Sequence, residues 1–200
     1  ASLLAHLHQK FPHTDFKIAQ AVYMGVWDAL LYQNGHFAIG APGFHTIDNH
    51  FSAEVLGVLD WVFVLSPNHP LANVPEALSD NALRQYPAIN VEDSSMRLDK
   101  RIAWRLAGQQ ELLVPDFLSK IACHKNGLGV GFLPKNLAQQ LVLSGDLIIK
   151  EVAAKRPSSP LSVAWKTEGT GKINAYLRQM IANKSPLFSA CWQLLAEEEI

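Results

Sequence analysis

Three short stretches of the chain carry the side chains best suited to holding a small polar molecule. Each lies where a predicted strand gives way to a helix. In an open α/β sheet, ligands bind outside the carboxyl ends of the strands, where helix N-termini point. We therefore predict a ligand-binding site from these stretches, which contain Tyr23, Met24 and Gly25; Asn90, Glu92, Asp93 and Ser94; and Pro115, Asp116 and Phe117.

The chemistry of these stretches is that of hydrogen bonding rather than of a reaction. The Tyr23 hydroxyl could bond a carboxylate, and Gly25 would open the backbone to it. Glu92 and Asp93 would repel a carboxylate but could accept hydrogen bonds from the N–H groups of a ureido compound. Structural alternatives stay open, since the first stretch could be a buried packing pair and the second a capped turn. Asp116 is best explained as a helix N-cap.

Basic residues cluster at one place, where Arg97, Lys100, Arg101 and Arg105 surround Trp104. Charges interleaved with an aromatic residue could bind single-stranded nucleic acid. The alternation of charged and apolar residues instead predicts a half-exposed edge strand at residues 101–106, with solvated charges and Trp104 on its apolar face. A net charge of −1 and a pI of about 6.8 also give no basic surplus for nucleic-acid binding. Of the cluster, Arg97 is predicted to lie near an anionic ligand.

Metal binding and catalysis find little support in the sequence. His45, Asp48 and His50 could imitate metal ligands, but they lie on one predicted loop without helical spacing or a cysteine. No G-x-S-x-G or similar nucleophile motif is present. We predict no metal, no cofactor and no catalytic residues, and hence a protein that is not an enzyme.

The stretch KNGLGVGFLPKNLA (125–138) resembles a phosphate-binding loop in its glycines, but the predicted helix and strand around it come in the wrong order. A dinucleotide loop follows a strand and opens a helix, whereas here a helix comes first. Asp116 is its predicted cap, and Leu118, Ile121 and Ala122 its predicted apolar stripe. A strand at 130–133 and a second helix follow. Gly127 is therefore predicted to adopt positive φ, and Gly129 and Gly131 to allow close backbone approach.

Alternating helical and strand patterns along the chain predict an α/β fold with a parallel sheet. Further predicted strands lie at 16–22, 37–39, 87–91, 111–114 and 161–165, and the late helix lies at 173–181. The chain of 200 residues is 48% hydrophobic, which is ample for a packed core. Cys123 and Cys191 form no C-x-x-C and are predicted to be free thiols of a reducing cytosol.

Three separated motifs resemble the effector-binding domain of LysR-type transcriptional regulators: DALLYQNGHFAIG (28–40), WVFVLSPNHPLA (61–72) and GLGVGFLP (127–134). The resemblance implies two Rossmann-like subdomains of periplasmic-binding-protein type II, joined by two crossover strands. Subdomain I would comprise residues 1–62 plus 167–200, and subdomain II residues 63–166. It also implies a strand ahead of the first helix. Because this sequence starts at that helix, the first strand of subdomain I is expected to be absent from this chain.

The same resemblance implies how such a domain works. A small-molecule effector would bind between the subdomains, and the domain would form a homodimer within a tetramer of full-length chains. DNA would be bound through an N-terminal helix-turn-helix that this chain does not contain.

Within the family, YMGVWDALLY (23–32), INVEDS (89–94) and KRIAWRLAGQQELLVPD (100–116) resemble a subgroup that activates allantoin-utilisation genes. This implies an effector such as glyoxylate, allantoin or a related purine-breakdown product. A stand-alone solute-binding protein is the alternative. The start of the sequence is too short and polar for a signal peptide, and no apolar run reaches about 18 residues, so a cytoplasmic protein without membrane contact is predicted.

Overall fold

The computed structural model describes residues 2–43, 50–168 and 171–188. The chain forms two compact units, one from residues 1–58, 95–98 and 160–200 and the other from residues 59–94 and 99–159. Within the described residues, no helix has the length and apolar character needed to cross a membrane.

The helices and strands alternate through most of the chain. The helices are α1 (Ser2–Lys10), α2 (Met24–Tyr32), α3 (Asp80–Leu83), α4 (Phe117–Lys125), α5 (Lys135–Leu143) and α6 (Lys172–Ala182), followed by a 3-10 turn at Pro186–Phe188. The strands are β1 (Phe37–Pro42), β2 (Phe51–Leu59), β3 (Trp61–Leu65), β4 (Ala88–Val91), β5 (Glu111–Val114), β6 (Gly131–Pro134), β7 (Ile148–Lys150) and β8 (Ser159–Lys166).

The first unit is built on a sheet with the strand order β1-β8-β2, in which β1 and β8 are antiparallel. Successive residues of β8 point to opposite faces, as the period of two in a strand requires. Val163 and Trp165 pack with α1 and α6, whereas Ala164 packs with α2 and with β1. The sheet is therefore covered by helices on both faces, as the α/β prediction requires.

The second unit combines parallel and antiparallel pairs. β4 and β5 are parallel, and β3 pairs antiparallel with both β6 and β7. Two hydrogen bonds join the start of β4 to Val130, the residue directly before β6: the Ile89 N–H donates to the Val130 carbonyl (2.9 Å) and the Val130 N–H donates to the Pro87 carbonyl (2.9 Å). Since Ala88 and Val130 form a parallel bridge, the strand order is β5-β4-β6-β3-β7. The parallel pairing predicted from the alternation of helices and strands holds for β4, β5 and β6 but not for β3, which runs opposite to its neighbours.

The three alternate glycines have the structural roles predicted for them. Gly127 has φ +67° and ends α4. A Cβ on Gly129 would lie 2.3 Å from the Pro87 carbonyl oxygen, and one on Gly131 would lie 3.1 Å from the Ile89 carbonyl oxygen. Both close approaches exist because β4 pairs with the residues that lead into β6. Backbone geometry therefore accounts for all three glycines.

The α4 N-terminus also follows the prediction. The Asp116 carboxylate accepts a hydrogen bond from the Ser119 N–H at 2.7 Å, which satisfies one of the unpaired donors of the first turn. This hydrogen bond lowers the pKa of Asp116 below its ordinary value.

Replacing Asp116 with alanine is expected to lower Tm by about 2–4 °C, because it removes the helix cap. Asp116→Asn keeps an accepting oxygen and is the matched control. The stabilisation that accompanies the lowered pKa of Asp116 is lost as pH falls through the pKa of the folded protein. The Tm values of the wild type and Asp116→Ala should therefore converge in acid. Thermal melts at several pH values measure this, and equal melts for Asp116→Ala and the wild type at neutral pH would contradict it.

Two predicted strands are wrong. Residues 16–22 and 101–106 run without regular secondary structure, and β7 was missed. In the second segment, Trp104 packs edge-on against Phe63 (5.4 Å between ring centroids) and Phe132 (5.2 Å), as its apolar character suggested, but Ile102 is 71% exposed. The alternation of apolar and charged residues did not produce a strand, because a strand also requires a neighbouring strand to pair with. That pairing is a property of the tertiary fold.

Candidate functional site

The carboxyl ends of β4, β5 and β6 lie at one edge of the sheet of the second unit, because these strands are parallel. The helices α4 and α5 begin at this edge, each directly after a strand. Trp61 also lies there, since β3 is antiparallel and pairs Trp61 with Pro134 at the end of β6. We call this the carboxyl edge, and in open α/β sheets it is the usual position of a ligand.

At the end of β4, most of the predicted binding residues hold the backbone of a neighbouring segment. Asn90 is 2% exposed, and its side-chain N–H groups donate to the Trp104 carbonyl (2.8 Å) and the Glu111 carboxylate (2.7 Å). Asp93 is also buried and accepts a hydrogen bond from the backbone N–H of Arg101 at 2.8 Å. Both side chains therefore fix the irregular segment that carries Trp104.

Glu92 and Ser94 alternate with these buried residues and are exposed. The Glu92 carboxylate forms a salt bridge with Lys100 at 2.8 Å. Arg105 pairs similarly with Glu111 at 3.3 Å. Two of the four cations of the basic cluster are therefore paired with local carboxylates rather than laid out as a nucleic-acid groove.

At the end of β5, the chain turns through Pro115 and Asp116 into α4. Pro115 is exposed, and Asp116 is half-buried and caps the helix. Phe117 is half-buried and stacks on Trp61, with 6.4 Å between the ring centroids. Arg156 covers the Trp61 ring at 3.4 Å from its centroid. An aromatic wall with a cation on it therefore lies at the carboxyl edge.

Lys120 lies one turn into α4 and is a residue that the sequence analysis missed. It is only 2% exposed, and among the described residues it has no hydrogen bond from its ammonium group and no salt bridge. Burial and, to a smaller extent, the positive charge of Arg156 lower its pKa from 10.5 to about 7. A buried cation without an acidic partner is unusual, because burying an unpaired charge is costly.

The buried face of α4 differs from the predicted apolar stripe. Leu118 is 80% exposed, whereas Phe117, Lys120, Ile121 and His124 face the interior. These positions follow the helical spacing i, i+3, i+4 and i+7. The apolar residues alone indicated the wrong face of the helix, because two of the inward-facing residues, Lys120 and His124, have polar side chains.

His124 is fully buried one turn beyond Lys120. Within the described part of the chain, neither ring nitrogen has a hydrogen-bond partner. Burial and then the Lys120 charge lower its pKa to about 3, with a smaller opposing effect of the Gly129 backbone. His69 lies close enough to contribute, and burial lowers its own pKa as well. Lys120, His124 and His69 together form what we call the buried basic cluster.

In the first unit, Tyr23 has an unusual backbone conformation, with φ 49° and ψ −120°. The Gly25 N–H donates to the Val22 carbonyl at 2.9 Å, which closes a turn of type II′ with Tyr23 at its first central position. Glycine is the usual residue there, so tyrosine costs about 1–3 kcal/mol of strain. Met24 packs partly buried near Trp27. Strain of this kind is concentrated at binding and active sites.

Arg97 is held in the first unit by a buried acid. The Asp28 carboxylate is 1% exposed and accepts hydrogen bonds from the backbone N–H groups of Met96 (3.3 Å) and Arg97 (3.2 Å). The guanidinium group of Arg97 lies 5.0 Å from the centroid of the Tyr32 ring. Its backbone is therefore fixed, and its exposed side chain lies on an aromatic face.

The predictions about metals and cysteines fall partly outside the described residues. His45, Asp48 and Cys191 lie there. Cys123 is a half-buried free thiol. Among the residues that the structure does describe, no three histidine, cysteine or acidic side chains are grouped to hold a metal ion.

Comparison with known proteins decides the family. The family described as the LysR substrate binding domain matches residues 1–183. The chain belongs to this family. The LysR regulatory domain of MetR from N. meningitidis has a similar fold, with a TM-score of 0.64 at 16% identity, over 94% of this chain and 87% of that one. The predicted fold class is thereby confirmed.

Two transcriptional activators are more similar in sequence to this LysR domain than MetR is. The HTH-type transcriptional activator AllS of Salmonella typhimurium is 44% identical over 186 residues, which cover 93% of this chain and 60% of that protein. AllS of Klebsiella pneumoniae is 46% identical over 161 residues, or 80% of this chain and 58% of that protein. The chain thus spans about 60% of the length of these relatives. They are regulators rather than enzymes, as the sequence analysis predicted.

Proposed function

We propose that this LysR domain senses a small polar metabolite of purine breakdown, such as glyoxylate, allantoin or a related compound. The observation that carries the proposal is the similarity to the AllS activators over most of the chain. In this proposal the effector controls DNA binding by a helix-turn-helix in the full-length protein. The full-length protein would be cytoplasmic and would assemble through dimers of this domain, as the family resemblance predicts.

The proposed binding residues belong to two groups. In the second unit they are Glu92 and Ser94, exposed at the end of β4, together with Pro115, Asp116 and Phe117 at the start of α4. Asn90 and Asp93 would act by holding the neighbouring backbone. In the first unit they are Tyr23, Met24 and Gly25 of the strained turn, and Arg97. Subdomains I and II are proposed with the boundaries 1–62 plus 167–200 and 63–166, which differ from the two compact units at residues 59–62, 95–98 and 160–166.

The strained turn at Tyr23 supports its place in this set. A tyrosine held in a conformation that favours glycine persists only where the surrounding structure fixes it. Such a turn presents the side chain and the first amides of α2 in a defined direction, and helix N-termini favour anionic or strongly polar groups. These properties suit recognition of a small polar effector.

Calorimetric titration of the wild-type chain with glyoxylate, allantoin and allantoate tests the proposal. At least one compound is expected to bind. Tyr23→Phe is expected to lower the affinity for that compound about 5- to 50-fold, because it removes one hydroxyl hydrogen bond. Tyr176→Phe is the matched control, since that hydroxyl contacts His6 within the core of the first unit. It should bind the effector as the wild type does. Absence of binding by all three compounds would reject this class of effector.

A stand-alone solute-binding protein of the same fold remains the alternative function. The AllS relatives extend well beyond the part that this chain matches. The sequence that the gene encodes next to this chain separates the two functions. A helix-turn-helix there is expected from our proposal, and a secretion signal there would support the alternative.

A further inference from the structure

We propose that Lys120 binds the carboxylate of an acidic effector at the carboxyl edge, with Arg156 beside it and the Trp61–Phe117 pair as an apolar wall. The inference deepens the proposed function and rests on it, because it narrows the effector from polar metabolites in general to carboxylic acids. A neutral ureide would leave the charge of Lys120 without a partner.

Lys120 is buried without an acidic partner among the described residues. Its side chain is 2% exposed, and no described carboxylate pairs with it. The neighbouring Lys125, on the same helix, is exposed and forms a salt bridge with Asp146 at 3.0 Å. A lysine that serves only solubility or an ion pair behaves like Lys125. Lys120 instead bears a desolvation cost that a bound anion would offset.

Lys120 also lies near the carboxyl edge. The backbone N–H of Lys120 donates to the Asp116 carbonyl, so the residue belongs to the first turn of α4, directly after the end of β5. Arg156 is close enough for its charge to act on Lys120, and it lies on the ring of Trp61. The N-terminus of α4 is itself capped by the Asp116 carboxylate, so the attraction for an anion comes from the two cations. These cations and the aromatic wall converge where ligands of α/β sheets bind.

Binding of an acid at Lys120 changes how many protons the protein carries. Since the pKa of Lys120 is about 7, the free protein carries this charge only in part at neutral pH. Binding of a carboxylate favours the ammonium form and therefore takes up a proton. The charged or titratable groups near Lys120 are Arg156, which stays protonated, and His124 with His69 beside it, whose lowered pKa values keep them neutral above pH 7.

Lys120→Met tests the inference, with Lys125→Met as the matched control on the same helix. Glyoxylate and allantoate should bind the wild type and Lys125→Met, and should bind Lys120→Met at least about 30-fold more weakly. Between pH 7 and 9, Kd for these acids should rise up to about tenfold per unit in the wild type. Without ligand, Lys120→Met should raise Tm by about 4–8 °C, since it removes an unpaired buried charge.

The outcomes separate this inference from the proposed function. Binding of allantoin without binding of either acid would overturn the role of Lys120 and leave the proposed function in place. Equal affinity of the wild type and Lys120→Met for the acids would also overturn it. Failure of all three compounds to bind would overturn both. A lower Tm for Lys120→Met than for the wild type would assign Lys120 a structural role instead.

Discussion

Replacing Gly129 with alanine is expected to destabilise the second unit by about 3 kcal/mol or more. The added Cβ would lie 2.3 Å from the Pro87 carbonyl oxygen and 3.1 Å from Cγ1 of Ile89. The Pro87 carbonyl accepts the hydrogen bond from Val130, so it cannot move away without weakening the junction of β4 and β6. Overpacking against backbone is therefore combined with a lost hydrogen bond.

Gly127→Ala is the matched control for this substitution. Gly127 also has an unfavourable conformation for alanine, with φ +67°, but its Cβ would meet the nearest heavy atom, Cβ of Ser66, at 3.9 Å. Its cost should be about 1 kcal/mol, from the backbone conformation alone. Urea unfolding of both variants measures the difference. A loss below about 1 kcal/mol for Gly129→Ala would show that β4 and β6 can separate without penalty.

Replacing His124 with leucine is expected to remove a large part of the acid sensitivity of the fold. The pKa of His124 is lowered from 6.5 to about 3 by burial. As pH falls below 6.5, the unfolded chain binds a proton that the folded chain cannot, so stability falls with pH down to about 3. Between pH 6.5 and about 4.5, this group should cost the wild type about 2–3 kcal/mol.

Urea unfolding at a series of pH values measures the effect. Over this interval His124→Leu should lose about 2–3 kcal/mol less stability than the wild type does. His8→Gln, at an exposed position of α1, is the control and should follow the wild type. Lys120 does not contribute to this difference, because its lowered pKa changes the stability only between pH 10.5 and about 7. Parallel pH profiles for His124→Leu and the wild type would show that the folded protein accommodates the charged ring.

The pH profile also bears on the proposed effector site. Lys120 and His124 share the buried face of α4, and the charge of Lys120 contributes to the lowered pKa of His124. An anion bound at Lys120 would partly neutralise that charge and raise the pKa of His124. The acid sensitivity of the domain should therefore decrease when an acidic effector is bound.

The sequence by itself determined the features that depend on near neighbours along the chain. Asp116 caps α4 because a side-chain oxygen needs to reach an N–H only three residues away. Gly127 ends the same helix because the turn requires positive φ. The family resemblance was also carried by the sequence, since the three motifs that indicated LysR regulators lie within the part matched by the family.

Only the tertiary structure decided which polar residues are buried and what they contact. Lys120 and His124 were missed because a helical pattern is found from its apolar members, and these two lie on the buried face. Asn90 binds the carbonyl of Trp104, 14 residues away, and the irregular segment 101–106 has no strand partner. Burial and strand pairing arise from contacts between distant parts of the chain, and local spacing does not encode those contacts.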